Sequence, residues 1–185
     1  MKNRMTNTLR YLLLALCLAL PGSAWDFSYS ATTNGAPTWN RPVEDLSVLS
    51  GIGTNVEYVV QSFVAPVTGT YTINSLATGG WDNYIFLYRG AFNAAAPFVN
   101  VIAANDDFSF IGQSRIVQAL TGGLTYNVVT TGYFNNSSGA FSNSISTPTP
   151  EPKTWVMIAF GVGVLLMRRR LSPDRCKPAS PPPLQ

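Results

Sequence analysis

The stretch that decides the fold is residues 56–77, VEYVVQSFVAPVTGTYTINSLA. Its first part is rich in β-branched and aromatic residues, which favour strands, and it stops at Pro66, which has no backbone N–H to donate. After a short turn at residues 67–69, apolar and polar residues alternate, as they do along a strand with one buried face. The pattern predicts one strand over residues 56–65 and a second over residues 69–77, joined by that turn.

Similar short runs continue along the chain, separated by turn-forming glycine and asparagine residues. Residues 25–41 are predicted to form an opening strand or an irregular arm. The further predicted strands are residues 83–88, 98–104, 114–120, 124–131 and 139–146. The pair 114–120 and 124–131, with two glycines between its members, is predicted to form a hairpin. Six to eight short strands at this spacing, without helical periodicity, indicate an all-β fold, an antiparallel β-sandwich.

The most apolar of these runs, residues 83–88 (NYIFLY), has large apolar side chains on both of its faces. This pattern predicts a central strand that is packed on both sides. The aromatic residues of this region also allow a second interpretation, a carbohydrate-binding platform. The loop candidates for such a platform are Trp81, Tyr133 and Phe134.

The first 24 residues have the three regions of a secretory signal peptide. Three basic residues precede an apolar segment at residues 11–20, YLLLALCLAL, and small residues follow up to Ala24. The apolar segment is too short for a membrane-spanning helix. We therefore predict export through the Sec machinery, with signal peptidase cutting between Ala24 and Trp25.

A second targeting segment spans residues 148–170, PTPEPKTWVMIAFGVGVLLMRRR. A proline-rich hinge leads into an uncharged run that begins at Trp155 and ends before three arginines. An apolar run with tryptophan at one side and arginines at the other is typical of a membrane span whose arginines stay cytoplasmic. The run would rise roughly 20 Å against about 30 Å of hydrocarbon, so we predict a marginal transmembrane helix over residues 154–167. Residues 171–185 are predicted to form a disordered cytoplasmic tail.

This segment resembles the PEP-CTERM sorting domain of Gram-negative bacteria. The resemblance covers about a tenth of the chain and is carried by Pro150, Glu151, Pro152, Trp155, Arg168, Arg169 and Arg170. It implies that exosortase, a membrane protease-transpeptidase, processes the exported protein near Pro-Glu-Pro. It also implies a link to exopolysaccharide or biofilm production. The chain departs from the family pattern at residues 171–185, because the family usually ends soon after the arginines.

Several segments of the exported part resemble bacterial pre-peptidase C-terminal domains. They are SFVAPVTGTY (62–71), DNYIFLY (82–88), IAANDD (102–107), SRI (114–116) and GLTYNVV (123–129). The resemblance as a whole extends over about residues 56–146. The resemblance implies a small jelly-roll-like sandwich that acts as an accessory module rather than a catalytic one, and some members of the family bind calcium.

The net charge and the cysteine content of the exported domain differ from those of the whole chain. The whole chain has a formal net charge of +3, whereas residues 25–147 hold three arginines against seven carboxylates, a formal net charge of −4. The basic balance therefore reflects targeting, and we predict no nucleic-acid partner. Cys17 lies in the signal peptide and Cys176 lies beyond the arginines, so the exported domain has to fold without disulfides.

The residue inventory excludes most kinds of catalytic site from the exported domain. Residues 25–147 contain no histidine, lysine or cysteine, which rules out Ser-His-Asp, Cys-His and Ser-Lys machinery and the usual zinc ligands. We therefore predict that the protein is not an enzyme. A glycosidase with a pair of carboxylates is the one enzymatic alternative that this inventory leaves open.

Three aspartates at predicted strand ends are the candidate metal ligands. Asp82 precedes the strand 83–88, and Asp106 and Asp107 follow the strand 98–104. Calcium prefers six or more hard oxygen ligands, which these residues, Asn83, Asn105 and loop carbonyls would supply. The alternative is that they are turn residues, because Asp and Asn form hydrogen bonds with their own backbone.

The sequence thus predicts an exported, non-enzymatic surface or extracellular-matrix protein. It is expected to be anchored in the inner membrane, with its domain in the periplasm, until it is sorted to the cell surface. The expected partners are the Sec machinery, signal peptidase, exosortase, the inner membrane and exopolysaccharide. The alternative function is a carbohydrate-binding module of the exopolysaccharide, with or without a requirement for calcium.

Overall fold

A computed structural model of the chain describes residues 24–147, together with Gly161 and Gly163, which are both helical. Most of the predicted signal peptide therefore lies outside the described residues. The same holds for the sorting motif, the rest of the helix over residues 154–167 and the tail. Within the described part of the chain, no helix has the length and apolar character needed to cross a membrane.

Residues 24–147 form an all-β domain of two antiparallel sheets. The strands are β1 (Asp26–Thr32), β2 (Thr38–Trp39), β3 (Val56–Val64), β4 (Gly69–Ala77), β5 (Asn83–Arg89), β6 (Val101–Asn105), β7 (Gln113–Leu120), β8 (Thr125–Gly132) and β9 (Ala140–Ser146). One sheet has the order β1-β9-β4-β7 and the other has the order β2-β3-β8-β5-β6. The predicted sandwich is confirmed.

The predicted hairpin of residues 114–120 and 124–131 is wrong. β7 pairs with β4 in the four-stranded sheet, whereas β8 lies between β3 and β5 in the other sheet. The turn after β3 also carries the chain from one sheet to the other. Short connections of this kind stack consecutive strands face to face across the interior, as in a jelly roll, instead of pairing them side by side.

The interior between the sheets is apolar. Tyr71 and Ile73 of β4 face Ile85 and Leu87 of β5, and all four side chains are fully buried. Val128 of β8 and Ile145 of β9 complete the same cluster. The alternation of the sequence in these strands therefore buries one face of each sheet against the other.

The outer face of β5 is also covered. Tyr84, Phe86 and Tyr88 pack with Trp39 and Val56 in a second cluster. The predicted central strand with two buried faces is confirmed, because residues 83–88 are all buried. The chain segments before β3 and after β5 supply the cover over this face, and they shape the site described next.

Candidate carboxylate site at one end of the sandwich

The three candidate aspartates meet at one end of the five-stranded sheet. Asp82 comes directly before β5, and Asp106 and Asp107 come directly after β6. β5 and β6 are antiparallel neighbours, with Ile85 paired to Asn105, so the start of one strand lies beside the end of the other. One carboxylate oxygen from each aspartate lies within 4.8 Å of the other two.

Two loops are pressed together to hold this arrangement. Gly112, in the loop before β7, has a φ of +87°, and a Cβ built there would lie 2.9 Å from the carbonyl oxygen of Trp81. The carbonyl of Gly112 also accepts a 2.8 Å hydrogen bond from the backbone N–H of Ala77. Since Trp81 immediately precedes Asp82, this close approach fixes Asp82 beside the loop that carries the other two aspartates.

The three carboxylates repel each other, and two of them, Asp82 and Asp106, are poorly solvated. Oδ1 of Asp82 and Oδ1 of Asp106 are buried and have no hydrogen-bond donor among the described residues. Burial, together with the charges of Asp82 and Asp107, raises the pKa of Asp106 to about 7. Burial and the charge of Asp107 also raise the pKa of Asp82. Two buried acceptors without donors are the arrangement that a bound cation would relieve.

Arg41 is the cation whose charge acts on Asp82 and Asp106, yet it is held by other groups. Its Nε, Nη1 and Nη2 atoms donate to the carbonyl oxygens of Gly132, Pro42 and Tyr133 at 3.1, 3.0 and 2.7 Å. Its guanidinium also lies 4.4 Å from the centre of the Tyr84 ring. Within residues 24–147 no carboxylate approaches it within salt-bridge distance. Arg41 therefore lowers the repulsion at a distance without neutralising the triad.

A cavity of about 260 Å³ opens beside Asp106. Its lining includes Arg41, Glu44, Ser50 and Tyr84. The Tyr84 side chain is 1% exposed, and its hydroxyl has no hydrogen-bond partner among the described residues. The cavity therefore adjoins the carboxylate triad through Asp106. Polar groups line it, and one of them, the Tyr84 hydroxyl, lacks a hydrogen-bond partner.

The two asparagines that the sequence adds to the ligand set are engaged elsewhere. The Asn83 side chain is fully buried, donates to Ser75 Oγ at 2.7 Å and accepts a bond from Ser114 Oγ. Asn105 donates to Glu44 Oε1 and accepts from the backbone N–H of Arg115. Further oxygens for a calcium ion would therefore have to come from the second carboxylate oxygens, loop carbonyls or water.

The aromatic loop candidates do not form a flat exposed platform. Trp81 donates through Nε1 to the carbonyl of Ala140 at 2.8 Å and lies against Gly139, so its ring anchors a loop. Tyr133 is half-buried and stacks on Tyr84. Phe134, which is 46% exposed, meets Tyr133 edge to face. Of the three, Phe134 offers the largest exposed ring surface.

Sequence reasoning missed Arg41, Glu44 and the cavity. The sole sequence signal was an arginine in a segment that also holds Trp39, inside a region predicted as a strand or an arm. The position of Arg41 depends on Gly53, since a Cβ there would lie 2.6 Å from Arg41 Nε. A contact between two loop residues in different turns leaves no periodic pattern that a sequence could reveal.

Comparison with known proteins gives distant similarities. No family model and no curated protein matches the chain. The pre-peptidase C-terminal domain of collagenase from Bacillus anthracis is 12% identical over 65% of this chain and 88% of that one, with a TM-score of 0.42. The K1 cleaved adhesin domain of Lys-gingipain from Porphyromonas gingivalis W83 is 14% identical over 69% and 99%, with a TM-score of 0.34.

A further solved structure of this kind is PliG from Aeromonas hydrophila, a periplasmic inhibitor of g-type lysozyme. It is 14% identical over 66% of this chain and 84% of that one, with a TM-score of 0.35. Similarities of this strength do not establish a family. The function of the domain therefore has to be argued from its own residues.

Proposed function

We propose that this protein is an exported, non-enzymatic surface or matrix protein whose β-sandwich domain binds calcium at Asp82, Asp106 and Asp107. The observation that carries the calcium site is the meeting of three carboxylates within 4.8 Å, two of which have a buried oxygen without a donor. Turn residues that merely satisfied their own backbone would not leave these oxygens unpaired.

The chemistry of the triad matches a hard divalent cation. Three carboxylates offer up to six oxygens, and calcium takes six to eight oxygen ligands in flexible geometry. Magnesium demands a stricter octahedron and keeps more of its water, so calcium is the better fit to a site built from two loops. The metal would supply charge neutralisation and would hold together the loops that precede β5 and follow β6.

The test is thermal unfolding with calcium and with EDTA. Calcium should raise the melting temperature of the wild-type domain, and Asp107→Ala should abolish that rise. Asp26→Asn is the matched control, because Asp26 is an exposed aspartate in the other sheet and its loss should leave the calcium response unchanged. No calcium response in the wild type would refute the site, as would an equal response in Asp107→Ala.

The export and sorting part of the proposal is supported by sequence. The signal-peptide pattern of residues 1–24 and the hinge, apolar run and arginine cluster of residues 148–170 carry it. The intact masses of the protein from cells and from medium test it. Loss of everything beyond Pro150-Glu151-Pro152 would support exosortase processing, whereas retention of residues 155–185 in the membrane fraction would make the segment a simple anchor.

A second candidate function is calcium-dependent carbohydrate binding. The observation that favours it is the cavity of about 260 Å³, which shares Asp106 with the triad and is lined by Glu44, Ser50 and Tyr84. A sugar in the cavity would complete the shell of the metal with its hydroxyls. We expect the protein to bind exopolysaccharide at this cavity in calcium and to release it in EDTA. Glu44→Gln should weaken this binding without changing the calcium-induced rise in melting temperature. Equal binding by Glu44→Gln and by the wild type in calcium would contradict this function.

A further inference from the structure

A second polar depression lies on the other sheet, and none of the three triad aspartates lines it. It is a groove of about 640 Å³ that runs over the outer face of the four-stranded sheet β1-β9-β4-β7. The polar side chains on its surface include serine hydroxyls, the amides of Asn74 and Gln113, and the guanidinium of Arg115. None of the described residues that line the groove is an aspartate or a glutamate.

The register of the strands places four polar residues in one row across this face. Ser28 of β1 pairs with Ser144 of β9, which pairs with Asn74 of β4, which in turn pairs with Arg115 of β7. Neighbouring strands lie about 4.8 Å apart, so the row spans about 14 Å. Hydrogen-bonding groups therefore extend over the whole width of the sheet.

Arg115 is fixed in place at one end of this row. Its Nε donates to Asn74 Oδ1 at 2.6 Å, and Asn74 Nδ2 lies 3.5 Å from Ser144 Oγ. The guanidinium carbon lies 3.7 Å from the centre of the Phe108 ring, which supports one face of the group. The stacking and the bond to Asn74 occupy one face and one edge, so the terminal nitrogens stay available to a ligand.

Beneath the groove, on the inner side of the same sheet, lies a polar group without a complete set of partners. Asn143 is 2% exposed, and its Nδ2 donates to Tyr29 and to Thr130. Its Oδ1 is buried and has no donor among the described residues. The contact with Thr130 places the Asn143 side chain in the interior, so Arg115 is the oriented polar group that this outer face presents to a ligand.

We propose that this groove binds an acidic glycan, with Arg115 taking a carboxylate of the sugar chain. A planar guanidinium pairs with a carboxylate through two parallel hydrogen bonds. The serine hydroxyls and the amides of Asn74 and Gln113 both donate and accept, which suits the many hydroxyls of a sugar chain. A peptide ligand would be expected to need apolar pockets for its side chains, and Leu76 is the one aliphatic side chain of the lining.

This site shares no lining residue with the calcium triad, although Phe108, which stacks on Arg115, directly follows Asp107. The groove belongs to the four-stranded sheet, whereas the triad lies at the strand ends of the five-stranded sheet. Binding in EDTA therefore tests the groove alone, and it also removes calcium bridges between acidic sugars. Either site can fail its test while the other stands.

The experiment is calorimetric titration of the full exported chain with oligogalacturonate in EDTA. The wild type should bind, and Arg115→Gln should weaken binding at least tenfold. The matched control is Arg89→Gln, which removes the same charge from an exposed position at the end of β5. A second variant, Ser28→Tyr, keeps the charge and places a bulky side chain on the row, and it should also weaken binding.

Four outcomes would overturn the proposal. They are absence of binding by the wild type, an unchanged affinity in Arg115→Gln, an equal loss in Arg89→Gln, and equal affinity for polyglutamate. The last outcome would show that the groove takes any anionic polymer rather than a glycan. Unchanged melting temperatures of Arg115→Gln and Ser28→Tyr will separate loss of the ligand contact from loss of the fold.

Discussion

At the scale of single residues, Asp106 links the candidate site to the stability of the domain. Its pKa is about 7 in the folded protein against an ordinary value of 3.8. Between these pH values the folded protein keeps a proton that the unfolded chain has lost. The free energy of unfolding of the metal-free domain should therefore fall as the pH rises from about 4 to about 7.

Asp106→Asn should remove much of this pH dependence, because an amide carries no charge to bury. The variant should be more stable than the wild type in EDTA at pH 8, and it should gain nothing from calcium. Urea unfolding at pH 5 and pH 8 measures both effects. A free energy of unfolding that rises from pH 5 to pH 8 in EDTA, equally in the wild type and in Asp106→Asn, would contradict the burial of Asp106.

Arg41 is the other residue with a role that substitution can measure. Arg41→Met keeps much of the length of the side chain but leaves the carbonyls of Pro42, Gly132 and Tyr133 without their donor. Each buried acceptor that loses its donor costs about 1 kcal/mol or more, so we expect a loss of about 3 kcal/mol in the free energy of unfolding. Urea denaturation provides the measurement.

Arg89→Met is the control for Arg41→Met. Arg89 is exposed at the end of β5, and the hydrogen bond it makes with Asn100 comes from its backbone. A surface change of this kind is expected to stay within about 0.5 kcal/mol. If both variants lost the same stability, the three carbonyl contacts of Arg41 would not be what stabilises this part of the domain.

At the scale of elements, the positions of the strands were predictable and their partners were not. Alternation and turn residues placed β3, β4 and β5 to within one or two residues. Predicted strand 98–104 begins only at Val101, because Asn100 has a φ of +67° and cannot continue an extended strand. The error over β7 and β8 arose because a short glycine turn fits both a hairpin and a crossing between sheets.

The candidate site was predictable to the same degree. Asp82, Asp106 and Asp107 could be expected to meet because each lies at the end of a strand, and the two strands are sequence neighbours. The cavity could not, because Arg41 and Glu44 lie on a segment without period. That segment is positioned by its packing on the outer face of β5. No local sequence pattern encodes this packing.

The contact between the two loops of the site gives a prediction at this scale. Gly112→Ala should destabilise the domain and reduce the calcium-induced rise in melting temperature. Two effects combine in this variant: a positive φ, and a Cβ that would lie 2.9 Å from the carbonyl oxygen of Trp81. The contact with Trp81 is what positions Asp82, so its disturbance should reach the metal site.

Gly90→Ala separates these two effects. Gly90 has a similar φ of +82°, and its Cβ would meet nothing within 4 Å. Gly90→Ala should lower the free energy of unfolding by about 1 kcal/mol through the backbone conformation alone, and its calcium-induced rise in melting temperature should equal that of the wild type. Equal calcium responses in the two alanine variants would show that the contact between Gly112 and Trp81 does not set the geometry of the triad.

At the scale of the whole molecule, residues 24–148 form a compact unit by themselves. Residues 25–147 contain no cysteine, so the unit has to be stabilised by its two apolar clusters rather than by disulfides. We expect residues 25–147 to fold when expressed alone, with one cooperative unfolding transition and a melting temperature that a reducing agent does not change. Differential scanning calorimetry with and without the reductant checks this expectation. A broad transition without cooperativity would contradict it.

The pairing of the first and last strands has a mechanical consequence. Asp26 pairs with Ser146, and the backbone N–H of Thr147 donates to the carbonyl of Trp25, so the chain enters and leaves the domain at one point. A force that pulls these two ends apart would break the hydrogen-bonded pairs between β1 and β9 one after another, starting at Asp26 and Ser146. The domain would therefore unfold at low force when it is pulled from these two ends. A force parallel to the strands would load all pairs of the ladder together, and the domain would resist it far more strongly.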